Sequence, residues 1–480
     1  MSISSALNIA RTGLQVSGLR AETVASNVAN AATPGYVRRS VVLSETITGG
    51  QASGVQSLGI ARAQDAQIKA QRRELTSDTA QATVLAQTWK AVSTRLGSTA
   101  DGSGLFKAVA GFETALSRSV TSPESATNAA QLLDAAKGIA RELNSLSGYA
   151  AGVRAEADRE IASGVETVNS ALKQIEDLNR RLSGMDRTSA QAAALFDERQ
   201  RALDTISEYL PVRAVERDSG TIDVITPEGV YLLAGKARQI DFQPGVTFGP
   251  DSSIAGGQLS GMSVDGTPIT PGSASFAAVS SGMFGALFTL RDQDMPAFSA
   301  QLDLVAADLI ARLSGSDPTL APGEDGLFTD PGAAGQLGLA GRISVNAAVD
   351  PAQGGEIWRL RDGIGATEQG PPGNASILSA MYDAVRAVQS VNSNGLNGQF
   401  SATELIAQLT SITGQTRLYH EGVAASSATQ HATLMEAEIR LTGVDIDEQM
   451  EQLMLIEQAY AANARVIQVA SDMIRILMEL

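Results

Sequence analysis

The chain contains no cysteine, which removes disulfides, thiolate metal ligands and thiol nucleophiles together. Two histidines and 4% aromatic residues leave little material for metal, haem or base-stacking chemistry. Lysine is scarce too: 30 of the 36 cations are arginine, and no polybasic tail exists. The 52 acidic residues give a net charge of −16, which argues against a nucleic-acid or anionic-membrane binder. No long apolar run is present. The longest uncharged stretch, Gly266 to Leu290, carries Pro268 and Pro271 among several Ser, Thr and Gly, so membrane insertion is not expected. Asn8, Arg11, Arg20 and Glu22 interrupt the N-terminal region, so no cleaved signal peptide is expected either.

What remains is 480 residues, 43% of them hydrophobic, enough for packed cores in about two to four domains. Catalytic and cofactor motifs are missing. His420 and His431 are too far apart on one helix to share a metal. Asp445-x-Asp447-x-Gln449 begins like a calcium loop, but Met450 occupies the glycine position, and helix capping explains the run better. Asp317, Glu324, Asp325 and Asp330 cluster in a Gly/Pro loop and read as solvated turn residues. Gly335, Gly338 and Gly341 have the wrong spacing for a dinucleotide fingerprint, and Gly261-Met262-Ser263 departs from a nucleophile elbow. Arg38-Arg39, Arg72-Arg73 and Arg180-Arg181 read as solvated faces or subunit salt links. No catalytic, cofactor-binding or metal residues are assigned, and the chain is read as a non-enzyme.

The two ends are the most regular parts. Ile3, Leu7, Ala10, Leu14, Ser17, Ala21, Val24 and Val28 alternate spacings of four and three. Ile446, Gln449, Leu453, Ile456, Tyr460, Asn463, Ile467, Ala470, Ile474 and Leu477 do the same near the C-terminus. That is the signature of helices packing lengthwise. A second column, Ala459, Val466, Met473 and Leu480, widens the C-terminal face and predicts more than one neighbour.

Between the ends, helices are expected at about 62–96, 104–118, 124–147, 149–183 and 189–209. Short strands follow at 212–215, 221–226 and 230–233, separated by Asp218-Ser219-Gly220 and Pro227-Glu228-Gly229. A helix is expected near 282–314, strands at Ile343–Val345 and Ile357–Leu360, and helices at about 375–390, 402–440 and 443–480. The fold class is mainly α with an inserted β module, its N- and C-terminal segments paired as long helices or a coiled coil. Three domains are expected: 1–60 plus 441–480, the terminal heptad helices; 61–211 plus 374–440, a helical bundle; and 212–373, β-rich with one long helix.

Two stretches carry a resemblance. Ser26-Asn27-Val28-Ala29-Asn30-Ala31-Ala32-Thr33-Pro34-Gly35-Tyr36-Val37-Arg38 resembles the N-terminal signature of bacterial flagellar rod, hook and hook-associated proteins. Gly443-Val444-Asp445-Ile446-Asp447-Glu448, then Gln458-Ala459-Tyr460-Ala461-Ala462-Asn463-Ala464-Arg465-Val466, is similar to their closing motif, with Glu457 where the family usually has Gln. Asn27 and Asn30 suit backbone bonding at a helix exit, Pro34-Gly35 stops the helix, and Tyr36 can pack beneath the turn. The long helical stretch that follows, with Leu195 to Asp204 and Val215 to Thr221, resembles the hook-associated junction members of that family rather than rod or hook subunits. The resemblance is weakest across 240–370.

The resemblance implies a structural junction between hook and filament, located in the bacterial flagellum and exported through the type III apparatus. It implies terminal helices that order on assembly into a ring or tube of copies of the chain. The partners it implies are the hook protein, a second junction protein and an export chaperone on the C-terminal region. The interface residues expected are Ile3, Leu7, Leu14, Val24, Val28, Asn27, Asn30, Pro34, Gly35 and Tyr36 at one end. At the other they are Ile446, Leu453, Ile456, Tyr460, Asn463, Ile467, Ile474 and Leu477. A distal-rod or hook subunit is the alternative within the family, and a cell-wall-active flagellar hydrolase the alternative outside it.

Overall fold

The computed structural model describes residues 3–48, 51–100, 102–332 and 337–479. Leu480 and Gly335, which figure in the sequence reading, lie outside the described residues. The chain opens with helix α1 (Ile3–Ala29) and an antiparallel hairpin, β1 (Arg39–Thr48) and β2 (Gln51–Arg62), whose ladder slips register twice. Helices α2 (Ala66–Leu96), α3 (Gly104–Thr121), α4 (Ala126–Ser183) and α5 (Ala190–Tyr209) follow. The side chains of Asp65, Ser125 and Ser189 accept backbone N–H bonds at the starts of α2, α4 and α5, as N-caps should.

A four-stranded antiparallel sheet comes next: β3 (Arg213–Glu216), β4 (Ile222–Ile225), β5 (Tyr231–Ala234) and β6 (Lys236–Ala237), in that order. A smaller sheet joins β7 (Ile240–Asp241), β8 (Ser263–Val264) and β9 (Thr267–Pro268). Helix α6 (Gly282–Thr289) runs through a π-turn at Leu290–Asp294 into α7 (Met295–Gly315). The strand pair β10 (Phe328–Thr329) and β11 (Ser344–Val345) precedes α8 (Arg359–Asp362) and α9 (Ser376–Arg386). A second hairpin, β12 (Gln389–Ser393) and β13 (Leu396–Phe400), leads to the long helices α10 (Ala402–Thr442) and α11 (Ile446–Glu479).

The 58-residue α4 is the spine. At 1.5 Å per residue it is about 87 Å long. Its first half, from Leu132 to Ala150, packs into a core with α2, α3, α7, α9 and the start of α10. Its second half, from Ala157 to Ile175, packs into another with α5, α6 and the two sheets. Arg154 and Asp158 stand where the two meet. Arg154 spends its guanidinium on the carbonyls of Gly249, Ser252 and Arg291, and Asp158 pairs with the fully buried Arg291. Breaking one partner of such a pair costs about 3–5 kcal/mol, so the joint is fixed.

Several sequence expectations are corrected. The helices expected at 124–147 and 149–183 are one, because Gly148 and Gly152 continue the turn between buried Leu146, Ala150 and Arg154. The helix near 282–314 is interrupted by the π-turn. Pro296 has no N–H to donate, and its ring crowds the preceding turn, so the chain widens there and carries Arg291 to Asp158. Ile357–Leu360 is not a strand: the N–H groups of Asp362 and Gly363 bond Trp358 and Arg359 in a helical turn. Residues 39–62, for which no strands were expected, form the first hairpin. Helix α7, expected inside the β-rich segment, packs with the helical bundle instead.

Candidate assembly interface

Helix α1 ends through the groups its sequence offered. Asn30 Nδ2 donates to the Ser26 carbonyl (2.9 Å), Thr33 N–H reaches the Asn30 carbonyl (2.9 Å), and Tyr36 N–H reaches the Thr33 carbonyl (3.1 Å). Gly35 sits at φ +75°, a conformation that favours glycine, and turns the chain back. Asn27, 1% exposed, is the hub. Its Nδ2 donates to the Arg39 carbonyl and to Gln449 Oε1, both at 2.8 Å. Its Oδ1 accepts from the Arg39 N–H (3.0 Å) and the Tyr36 hydroxyl (2.9 Å). Two donors and two acceptors are the full capacity of an amide, so this buried group is satisfied. It joins α1, the first hairpin and α11.

Asp445 starts α11 as an N-cap, its Oδ1 accepting from the N–H groups of Asp447 and Glu448. From there α11 runs antiparallel to α1. Gln449 lies against Asn27, and Asn463 lies against Gly13, where a Cβ would stand 2.7 Å from Asn463 Nδ2. The two contacts are equally spaced on both helices, which fixes the register. The column facing α1 is Gln449, Ile456, Asn463 and Ala470, a strict heptad, against Ala10, Ser17 and Val24. Small residues on α1 let the backbones approach closely.

The hairpin base is held by ion pairs. Asp197 on α5, 5% exposed, pairs with both Arg39 and Arg62. Arg72 reaches Asp204 (2.7 Å) and Glu438 (2.5 Å), and Arg73 also pairs with Asp204 (2.9 Å), tying α2, α5 and α10. Arg38 bonds Glu448 at 2.7 Å, and its N–H donates to the Thr442 carbonyl. Arg39, Arg72 and Arg73, expected as solvated faces or subunit links, are therefore intrachain ties. Only Arg180-Arg181 stays on the surface, beside Asp177. Helices α2 and α10 run antiparallel over matched rungs, Arg72 to Glu438, Thr76 to His431 and Trp89 stacked on His420.

Residues 89–315 match the family model for the flagellar hook-associated protein FlgK helical domain, and residues 439–480 that for the flagellar basal body rod FlgEFG protein C-terminal. The chain is similar to FlgK hook-associated proteins, the helical-domain match spanning just under half its length. Flagellar hook-associated protein 1 of Escherichia coli is 22% identical, with 98% of each chain covered. That of Salmonella typhimurium is 25% identical over 61% of this chain and 53% of the relative, and that of Bacillus subtilis 26% identical over 47% of each. The chain thus aligns with about half the length of these last two. A solved flagellar hook junction protein FlgK from Burkholderia pseudomallei covers 55% of this chain and 46% of its own, at 20% identity and a TM-score of 0.41. The helical-domain match extends to residue 315, into the stretch where the motif resemblance is weakest.

In this FlgK-like chain the expected interface residues divide into two groups. Asn27, Val24 and Ile456 are buried, and Ile3, Leu7, Leu14, Val28, Asn30, Tyr36, Leu453, Asn463 and Ile467 are half-buried. Pro34, Gly35, Ile446, Tyr460, Ile474 and Leu477 are exposed. Gln449, Gly13, Asp197 and the hairpin were not among them. A second stripe on α11, Leu455, Ala459, Ala462, Val466, Val469, Met473 and Ile476, has the same 3-4 spacing and is exposed throughout. Leu418, Tyr419, Met435 and Ile439 on α10 are exposed too.

Other candidate chemistry is accounted for locally. Asp317 accepts from Thr319 and the Ile364 N–H, Glu324 from the Ala321 N–H, Asp325 from Thr329, and Asp330 pairs with Arg342. Among the described residues no group of three or more His, Asp or Glu could hold a metal ion, and no helix is long and apolar enough to cross a membrane.

Proposed function

We propose that this chain is a structural component of the bacterial flagellum, a junction protein that connects hook to filament and polymerises through its terminal helices. The observation that carries the reading is the uncovered stripe from Leu455 to Ile476: it has coiled-coil spacing, yet α1 packs on a different column. The match to the FlgK helical-domain model and the names of the full-length and partial relatives support the same role. Copies of the chain would cover the stripe in a ring or tube, with the hook protein on one side and a second junction protein on the other. Export through the flagellar type III apparatus, a chaperone on the C-terminal region, and terminal helices that settle only on assembly complete the proposal. Neither catalysis nor nucleic-acid binding has a part in it.

The test is Val469→Asp with Met473→Asp, both side chains being about half exposed. Cells carrying the double variant should be non-motile and release flagellin into the medium, while the purified monomer keeps its melting temperature. Normal swimming in soft agar would overturn the proposal. So would a monomer that melts several degrees lower, since the stripe would then belong to its own core.

A further inference from the structure

The buried arginines of this chain follow a rule, with one exception. Arg73, Arg291 and Arg312 each pair with a carboxylate, as do the half-buried Arg39, Arg62 and Arg72. Arg154 has none, but its Nε and both terminal nitrogens bond backbone carbonyls. Arg199, 2% exposed, has neither provision. Its Nη1 donates to Asn179 Oδ1 (3.1 Å) and the Gly220 carbonyl (2.8 Å), while its Nε meets no acceptor among the described residues. Its face lies 5.0 Å from the Phe196 ring. An unpaired cation out of water is costly, and a chain with 52 carboxylates did not supply a partner.

Arg199 lines a cavity of about 210 Å³ between the hairpin base, α5 and β3. Arg187 lines it as well. That guanidinium donates to the Asp218 carbonyl (2.6 Å), lies against the side-chain-free face of Gly220, and has no ion-pair partner among the described residues. Arg62 closes a third side, but its charge is shared with Arg39 over the single carboxylate of Asp197. Glu216, exposed at the rim, makes no ion pair among the described residues. Burial, together with like charge from Arg62 and Arg73, pushes the Arg199 pKa down to about 10 against the pull of Glu216, so the group is still a cation at neutral pH.

We infer that this cavity is an oxyanion-binding site, in which Arg187 and Arg199 grip a phosphate or carboxylate group. Guanidinium forks match the geometry of such groups, and the volume accommodates one with its water. The net charge of −16 repels anions at long range, so binding rests on these local donors. The oxyanion has two sources: free inorganic phosphate, or an acidic side chain of a second copy of the chain.

The experiment titrates the full chain with inorganic phosphate at constant ionic strength, following phosphorus-31 line width and calorimetry. Saturable binding with a Kd of about 1 mM or below is expected, weakened at least about tenfold by Arg187→Ala. That side chain is exposed, so the variant should keep its melting temperature in phosphate-free buffer. Arg199→Lys, which keeps the charge and loses the fork, should weaken binding as well. Sedimentation velocity on the same samples separates the sources. Self-association that falls with phosphate and with Arg187→Ala assigns the site to a neighbouring carboxylate; self-association unchanged by either assigns it to the free ion. Absence of saturable binding together with unchanged self-association in Arg187→Ala would overturn the inference, as would phosphate binding equal in wild type and both variants.

Discussion

Replacing Asn27 by Ala tests how the two ends of the chain are joined. The substitution removes four hydrogen bonds and leaves three groups without these partners: the half-buried Arg39 N–H and carbonyl and the buried Gln449 amide. The Tyr36 hydroxyl, half-buried and near Ser26 Oγ, can turn to other partners and is left out of the sum. An orphaned buried polar group costs about 1–3 kcal/mol, so three of them in a dry site cost up to about 3–9 kcal/mol. A water filling the space of the lost amide would bring this to about 2 kcal/mol. Even that lower figure makes local opening about 30 times more frequent. Hydrogen exchange should therefore quicken at least about 30-fold in the last turns of α1 and the first turns of α11, with no change from Leu132 to Ala150 in the first core. A cycle with Gln449→Ala gives an internal check: once Asn27 is gone, removing Gln449 should cost about 1–3 kcal/mol less than in wild type. Exchange within twofold of wild type at both helix ends would refute the reasoning. Acceleration spread evenly over the chain would refute the claim that this joint opens independently of the cores.

Gly13→Val should push α11 off α1, since a Cβ already meets Asn463 at 2.7 Å. Overpacking of this kind costs about 1–3 kcal/mol, visible as faster exchange around Asn463, and Gly13→Ala should be milder because the obstructing amide is the end of a flexible side chain. Wild-type exchange in Gly13→Val would mean the helices are not in this register. The two histidines predict an acid sensitivity. Burial lowers the pKa of His420 despite Asp294, and burial with Arg72 lowers that of His431. The fold thus favours neutral imidazole, so the unfolded chain binds more protons as pH falls. Stability tied to these groups is present above 6.5 and lost as pH drops through 6.5 toward the folded values. His420→Phe with His431→Gln should flatten the melting temperature against pH below about 6.5. An unchanged slope would assign the sensitivity to other groups.

The helix exit of α1 was legible because its chemistry is short-range. Asn30, Pro34-Gly35 and Tyr36 act on residues a few positions away, and turn-forming types at those positions have few other uses. The partner of Asn27 was not legible. Gln449 is 422 positions away, and nothing in its neighbourhood marks it as a donor's target. The heptads located the right helices and included the columns in contact, Gln449, Ile456, Asn463 and Ala470 against Ala10, Ser17 and Val24, but did not separate them from the exposed members Ile446, Tyr460, Ile474 and Leu477. Gln449 and Asn463 are the polar members of an otherwise apolar 3-4 pattern, yet they lie on the seam, because Gly13 and Ser17 on α1 leave room for them. The hairpin had a signal on one side: Gly49-Gly50 follows a run rich in β-branched residues, Val41, Val42, Thr46, Ile47 and Thr48. It was outweighed by the helical periodicity on both sides. The π-turn was announced only by Pro296, which predicts a disturbance without predicting its form.

That placement of polar and apolar residues bears on why the terminal helices would polymerise. A polar pair on a helix seam lowers stability and fixes register. Here Asn27–Gln449 and Gly13–Asn463 fix the intrachain register, while Leu455, Val466, Val469, Met473 and Ile476 face outward. Each of these five is about half exposed. Burying the remainder is worth roughly 0.8–1.5 kcal/mol apiece, or roughly 4–8 kcal/mol for the stripe. Association at the standard state costs an estimated 4–15 kcal/mol, so one such contact between two copies barely holds. A subunit in a ring is touched from both sides, and the exposed Leu418, Tyr419, Met435 and Ile439 of α10 add to the area while the second contact adds little further entropy cost. The arithmetic favours closed multi-subunit assemblies over dimers.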